Sequence, residues 1–399
     1  MCLQNARERG YVETIAIYHP NVVIDVANVE IDWLLRHIQS PGAVEWRASF
    51  PSSPSGANGA VIPMDEWFVK WVQLPFGHIH LDQCKIKGFA KECVEAVLPQ
   101  LRNDRLIQLN STAVSAGAVF ELAASSPMLV ELVLSTQTRT IVTSYILSSM
   151  IQWLQFTHVH TFGFGNWLFD DQIDEFLRDD LYTTLFHHPT LTTLTLYNCA
   201  LPALDVLCGF DLNPSLRHLY ITKCCMSPPS ILGLASVIEQ SDFLETLTLD
   251  KVQTNNDEPN DEYLYSFMRL LEAIAQCWTL KHVMLDCCGI HDSCWQVLGP
   301  LLQTAHVQGL SLAENCISDD GVKWIGQAIL VNASMQTLNL SRNRISKDGM
   351  LTLLEIVQGC QLQIEMDRED IEGCYEDQEM LTLKSWKYGV RLEFRANFT

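Results

Sequence analysis

The sequence is poor in positive charge: 26 lysines and arginines stand against 47 aspartates and glutamates, a formal net charge of −21. A phosphate backbone is held by Lys and Arg, so this balance excludes nucleic acid as the main partner. It favours a protein partner, above all one with a basic surface, and the field acts within about 8 Å at physiological salt. No stretch reaches the ~20 consecutive apolar residues of a membrane span, so no membrane partner is expected. Met1 to Arg9 carries charges with no apolar core behind them, and an ordinary secretory signal is not expected either. The signatures of common catalysts are missing too. There is no Gly-x-Ser-x-Gly elbow, no His-Glu-x-x-His helix and no Gly-x-x-x-x-Gly-Lys-Ser/Thr phosphate loop. The chain is therefore expected to be no enzyme and to need no cofactor.

Metal-ligand spacing is absent as well. Cys224-Cys225 and Cys287-Cys288 lack the two-residue spacer of a zinc knuckle, and His78, His80 and Cys84 fall on one short stretch whose side chains cannot converge. Fourteen cysteines would suit a disulfide scaffold in a short secreted chain, but this one has 399 residues. Cys84, Cys199, Cys224 and Cys288 instead recur at equivalent positions of a longer pattern. They read as free thiols, which points to the reducing cytoplasm.

What the sequence does have is a repeat. Gly309-Leu310-Ser311-Leu312-Ala313-Glu314-Asn315-Cys316-Ile317 is followed by Asp319, Asp320, Gly321 and an apolar run. Thr337-Leu338-Asn339-Leu340-Ser341-Arg342-Asn343-Arg344-Ile345 is followed by Lys347, Asp348, Gly349 and another. Leu338 follows Leu310 by 28 positions. Two leucines alternating with an outward residue predict a short strand, and the apolar spacing after each glycine predicts a helix. Asn343 can satisfy backbone groups in the turn between them, where an unpaired buried polar group costs about 1–3 kcal/mol.

This L-x-x-L-x-L-x-x-N/C-x-L spine resembles the ribonuclease-inhibitor-like leucine-rich repeat proteins. The resemblance implies an α/β solenoid, a horseshoe with a concave parallel β-sheet and convex α-helices. The same spine can be traced through Ile15, Val44 (with Trp46 after it), Ile79, Ile107, Leu132, Phe162, Leu194, Leu219, Leu247 and Val283. It is clearest over 191–357. About twelve or thirteen repeats in a single domain, 1–399, are expected. Irregular insertions are expected near 51–60 and 254–262, and a C-terminal cap over about 365–399. Two closing elements are expected: Leu362 and Ile364 read as one last strand, and Val390 to Phe394 as an edge strand closing the stack, with Asp367 to Glu379 a solvated connection before it.

Residues between the spine leucines should point into the concave sheet. They nominate a protein-binding patch of Thr195, Tyr197, His218, Tyr220, Thr222, Thr248, Asp250, His282, Met284 and Asp286. Its aromatics offer large contact area at small entropic cost. Thr246, Ser311, Thr337, Asn339 and Ser341 fall on the same outward positions. Asp170 to Asp180 reads as a helix with an acidic solvated face and an apolar face at Ile173, Phe176 and Leu177. Trp295 aligns with the core, and Trp324 stands one position off it.

The function expected is a non-catalytic intracellular interaction module, an inhibitor, scaffold or adaptor, holding a protein on its concave sheet. The resemblance also allows a GTPase regulator similar to the activator of the Ran GTPase, for which only Arg342 or Arg344 sits in a presented loop. It further allows a substrate-recognition adaptor or a microbial effector acting in host cytosol.

Overall fold

In the computed structural model the described residues are the strands 14–17, 21–25, 45–49, 78–82 and 106–110, then 116–124, 129–201, 215–252, 261–303, 305–332, 334–367 and 375–395. The chain divides into two compact units, Met1–Cys199 and Ala200–Thr399.

In the first unit β1 (Thr14–Ile17), β2 (Asn21–Asp25), β3 (Glu45–Ser49), β4 (His78–Asp82), β5 (Leu106–Asn110), β6 (Glu131–Val142), β7 (Thr161–Phe169) and β8 (Thr193–Tyr197) pair in chain order. All pairs are parallel except β1 with β2. Ile15 is therefore not a repeat strand, contrary to the expectation. Only residues 18–20 separate it from β2, and a parallel crossover needs a dozen or so. The first parallel strand is β2, whose Val22 stands opposite Trp46. Leucine spacing passed over it because it is built of Val and Ile.

Three helices, α1 (Ala116–Ala124), α2 (Ser144–Phe156) and α3 (Glu175–Phe186), lie between the later strands of this unit. Aromatic rings replace leucines in its core. Phe164 meets Trp167 edge-on at 4.8 Å and Phe120 at 5.3 Å, while the Trp153 indole donates to the Leu129 carbonyl at 3.1 Å. Asp174 caps α3 by accepting from Phe176 N at 3.0 Å, so Asp170 and Asp171 precede the helix. Phe176 is not on an apolar face: it is 83% exposed. The inward phase is set by Leu181 and Leu185, which Phe176 misses, and Ile173 is buried from the preceding loop instead.

The second unit repeats the theme with β10 (His218–Thr222), β12 (Thr246–Asp250), β13 (His282–Met284), β14 (Gly309–Ser311), β15 (Thr337–Asn339), β16 (Gln363–Asp367) and β17 (Arg391–Arg395), all parallel. Two short strands, β9 (Ala200–Leu201) and β11 (Cys225–Met226), form a separate parallel pair. Helices α4 (Pro228–Glu239), α5 (Asp261–Gln276), α6 (Asp292–Leu302), α7 (Asp319–Val331), α8 (Lys347–Ile356) and α9 (Tyr375–Tyr388) alternate with the strands. Among the described residues each unit thus contributes seven parallel strands to the main sheet, fourteen against the twelve or thirteen repeats expected.

The C-terminal segment corrects one expectation. Glu379 lies in α9, and β16, α9 and β17 form a further strand-helix-strand step, with β17 at the sheet edge as anticipated. Residues 51–60 and 254–260 lie outside the described residues, while Asp261 and Glu262 begin α5. Trp295 is buried and Trp324 is 40% exposed. No helix among the described residues is long and apolar enough to cross a membrane.

One turn recurs after the strands. Asn198, Lys223, Lys251, Cys287, Glu314 and Arg342 all adopt left-handed backbone, φ between 49° and 56°. Each precedes the Asn or Cys position, which is Val252 in one repeat. The Asn315 amide donates to the carbonyls of Leu285, Leu312 and Ala313 at 2.8, 2.9 and 3.1 Å. Its oxygen accepts from Cys288 N and Ile290 N, both at 3.0 Å. Asn343 repeats this toward Leu312, Leu340 and Ile317 N. Cys288 supplies only the donor half, its thiol reaching the Leu249 and Asp286 carbonyls at 3.2 and 3.3 Å.

A second ladder joins the helix starts. The Asp292 carboxylate accepts from Ser318 N at 2.8 Å and Ser318 Oγ at 2.5 Å, and Asp319 does the same for Ser346 at 2.7 and 2.6 Å. This explains the glycine that follows. A Cβ on Gly349 would fall 2.0 Å from Asp319 Oδ1, whereas Gly299 has only ordinary contacts. Gly349→Ala is expected to cost about 1–3 kcal/mol through overpacking. Gly299→Ala should be neutral or stabilising by helix propensity. Thermal melts of the two variants check this, and equal melting temperatures would refute the steric account.

Candidate protein-binding face

Strand alternation sends the spine residues Leu219, Leu247, Val283, Leu310, Leu338 and Ile364 inward, where all are buried. Their neighbours form rows across the other face of the second unit's sheet. His218, Thr246, His282, Gly309, Thr337, Gln363 and Arg391 stand side by side, as do Tyr220, Thr248, Met284, Ser311, Asn339, Glu365 and Glu393. Thr222 stands beside Asp250 in a third row. Thr195 and Tyr197 belong to the first unit, on β8, where Tyr197 lies against Gly165.

The middle of this face is a groove of about 360 Å³ lined by Tyr220, Thr246, Thr248, His282, Met284, Gly309, Ser311, Thr337, Asn339 and Glu365. Gly309 lets the His282 and Thr337 side chains close in on either side of it. A Cβ there would stand 2.9 Å from both His282 Nδ1 and Thr337 Oγ1. Met284 is 39% exposed although it is a large apolar side chain. The floor is held by hydrogen bonds: Asn339 Nδ2 donates to Ser311 Oγ at 3.1 Å, and Ser311 Oγ donates to Asp286 Oδ1 at 2.6 Å. Asp286 thus turns its carboxylate along the sheet, where Ala313 N also donates to Oδ1 at 2.9 Å. Ser341, expected outward, is buried, and its N–H donates to Asn339 Oδ1 at 3.0 Å. The chain has already turned there, because β15 ends at Asn339.

Paired charges border this floor. Where the strands begin, Glu245 takes Arg217 at 2.5 Å and Lys281 at 2.9 Å, and the bonds from Lys281 and then Arg217 hold its carboxyl below the usual range. Past their ends, Arg342 binds Asp367 at 2.7 Å and Glu314 at 3.0 Å, and Lys251 lies 3.5 Å from Glu314. Burial pushes the carboxyls of Asp286 and Asp250 up. Among the described residues no group of three or more His, Cys, Asp or Glu side chains could hold a metal ion.

Sequence reasoning missed Gly309, Glu365 and Glu393. The last two alternate with buried Ile364 and Leu392, a period that marked them as outward once β16 and β17 were known to be full strands.

Residues 305–326 and 331–354 match the family model described as a leucine-rich repeat. This is a leucine-rich-repeat fold. Comparison with curated proteins finds no match. Among solved structures, Rad7 of yeast, in its complex with Elc1, is similar at 12% identity and a TM-score of 0.50, covering 88% of this chain and 80% of that one. LegL7 of Legionella pneumophila is similar at 13% identity and a TM-score of 0.43, covering 86% and 98%. An internalin of Listeria monocytogenes is similar at 15% identity and a TM-score of 0.40, covering 89% and 87%.

In this repeat sheet, both hydrogen bonds to Asp286 fall on Oδ1, which an asparagine oxygen can replace. Because burial raises its folded pKa, the folded chain binds the proton more tightly than the unfolded one. The carboxyl's contribution to stability therefore declines as pH rises from about 3.9 through the folded value. Asp286→Asn is expected to be at least as stable as the parent at neutral pH, with the gap closing on acidification. Melting temperatures across that range check it, and a variant that melts lower at pH 7 would contradict it.

Proposed function

We propose that the chain is a non-catalytic module that binds a protein partner on the exposed face of the second unit's sheet. The carrying observation is the groove around Gly309, with Tyr220, His282 and Met284 presented over a hydrogen-bonded floor. Large side chains amid neutral polar groups, rimmed by charge, are the composition of a protein contact. Thr222, Asp250 and His218 extend the surface around it, while Thr195 and Tyr197 stand on β8 of the first unit. Nine cysteines among the described residues are free thiols, which suits a cytoplasmic setting.

The GTPase-activating reading needs a presented arginine. Arg342 is held by Asp367 and Glu314, which leaves exposed Arg344 as the remaining candidate of the two. No observation favours that reading, the substrate-adaptor reading or the effector reading over simple partner binding.

The test is affinity capture from cell lysate with the parent chain beside Tyr220→Ala/His282→Ala/Met284→Ala, with bound proteins identified by mass spectrometry. Removal of contact residues of this kind costs about 2 kcal/mol or more each, so specific partners should vanish. Retention of the same partners by a variant with an unchanged melting curve would sink the proposal and direct attention to the helical side.

A further inference from the structure

Two repeats of the first unit are built unlike the others. β6 and β7 run to 12 and 9 residues, while no other strand of the main sheet exceeds five among the described residues. After a register shift between Ser135 and Thr140 the two pair again, from Thr140 beside Trp167 to Val142 beside Phe169. This added stretch turns Ile141 outward at 60% exposure, and Asp170 N donates to the Val142 carbonyl at 3.0 Å, which ties the two loops together. Each loop then enters a helix. Thr143 and Asp174 cap α2 and α3, which pack side by side, and the second residue of each helix is an exposed aromatic, Tyr145 at 57% and Phe176 at 83%. In α7 and α8 the same position holds Asp320 and Asp348. An acid there gains about 0.3–1 kcal/mol from the helix dipole, and a ring gains nothing from it. Exposed apolar side chains gathered at one place, where neighbouring helices favour a charge, mark a contact surface.

The surrounding charge says what is contacted. Between Leu129 and Cys199 there are two arginines, no lysine and seven acidic residues, and six of the seven fall in 170–180. Asp171, Asp174, Glu175 and Asp180 are exposed around Phe176, and Arg178 is the one cation among them, 3.8 Å from Glu175. We infer that this edge of the first unit is a second docking surface, made of other residues than the sheet face proposed above, and that it takes a basic segment of another protein. Tyr145 and Phe176, with Ile141 beside Tyr145, receive two large apolar side chains. Neighbouring helices pack about 8–10 Å apart, so the partner's two anchors stand about that far from each other. Arginines or lysines next to the anchors meet the carboxylates inside the ~8 Å over which charge acts at physiological salt. The same carboxylates repel a phosphate backbone or an anionic lipid surface, which leaves protein as the partner.

Selection of random dodecapeptides displayed on phage against the full chain tests this, with the affinity of enriched peptides read by fluorescence anisotropy. The enriched peptides are expected to carry two large apolar residues with Arg or Lys beside them. Tyr145→Asp/Phe176→Asp gives both helices the residue type that α7 and α8 use, so the melting curve should hold while affinity falls about tenfold or more. Asp171→Asn/Asp179→Asn/Asp180→Asn should weaken binding by about the same factor and flatten its salt dependence. Tyr220→Ala/His282→Ala/Met284→Ala should leave it unchanged. Since Tyr145→Asp/Phe176→Asp adds negative charge, binding that holds or strengthens in that variant would reduce the effect to net charge and overturn the inference. Peptides lost with the sheet-face variant instead would overturn it while supporting the reading above. Failure to enrich any peptide, or indifference to the three asparagines, would also overturn it.

Discussion

Stacking depends on one constraint: among the described residues β8, β10 and β12 to β15 each end in the same turn, whose backbone groups pack against a neighbouring repeat and must be bonded there. Asn315 meets it in both directions, with its amide donating to three carbonyls and its oxygen accepting from two N–H groups of the preceding repeat. A buried donor or acceptor left alone costs about 1–3 kcal/mol, so one side chain can decide whether two repeats close on each other. Cysteine keeps the donor function and gives up the acceptor. Cys199, Cys224 and Cys288 accordingly donate to carbonyls.

The same constraint separates scaffold from surface. Bonds made by the turns and by the Asp292 and Asp319 carboxylates at the helix starts hold the strands at sheet spacing. Side chains on the open face are thereby relieved of a structural duty. The face can present histidine, tyrosine and methionine without loss of the fold. Its borders are neutralised by ion pairs from neighbouring repeats, such as Arg217 and Lys281 on Glu245.

Much of this was legible in the sequence. The spine leucines marked thirteen of the fourteen parallel strands, counting the two proposed as closing elements, because burial on one side of a strand imposes a period of two that chemistry alone reveals. The outward residues followed from the same alternation. β2 was missed since valine and isoleucine fit a strand without the leucine pattern, and Phe176 was misplaced because a helix's phase depends on where it starts. That start was set by the Asp174 cap and not by the apolar count.

The sequence by itself determined the repeat, its length, the strand-helix alternation and which side chains share a face, because each is a local consequence of period and turn chemistry. Only the tertiary structure decided which outward residues are available. Asp286 and Asn339 are outward by position, but neighbouring repeats draw their polar atoms into the floor. Glu365 and Glu393 became neighbours only through the register of β16 with β17. Contacts between repeats are made by residues some 28 positions apart, and no local pattern encodes how their side chains share hydrogen bonds.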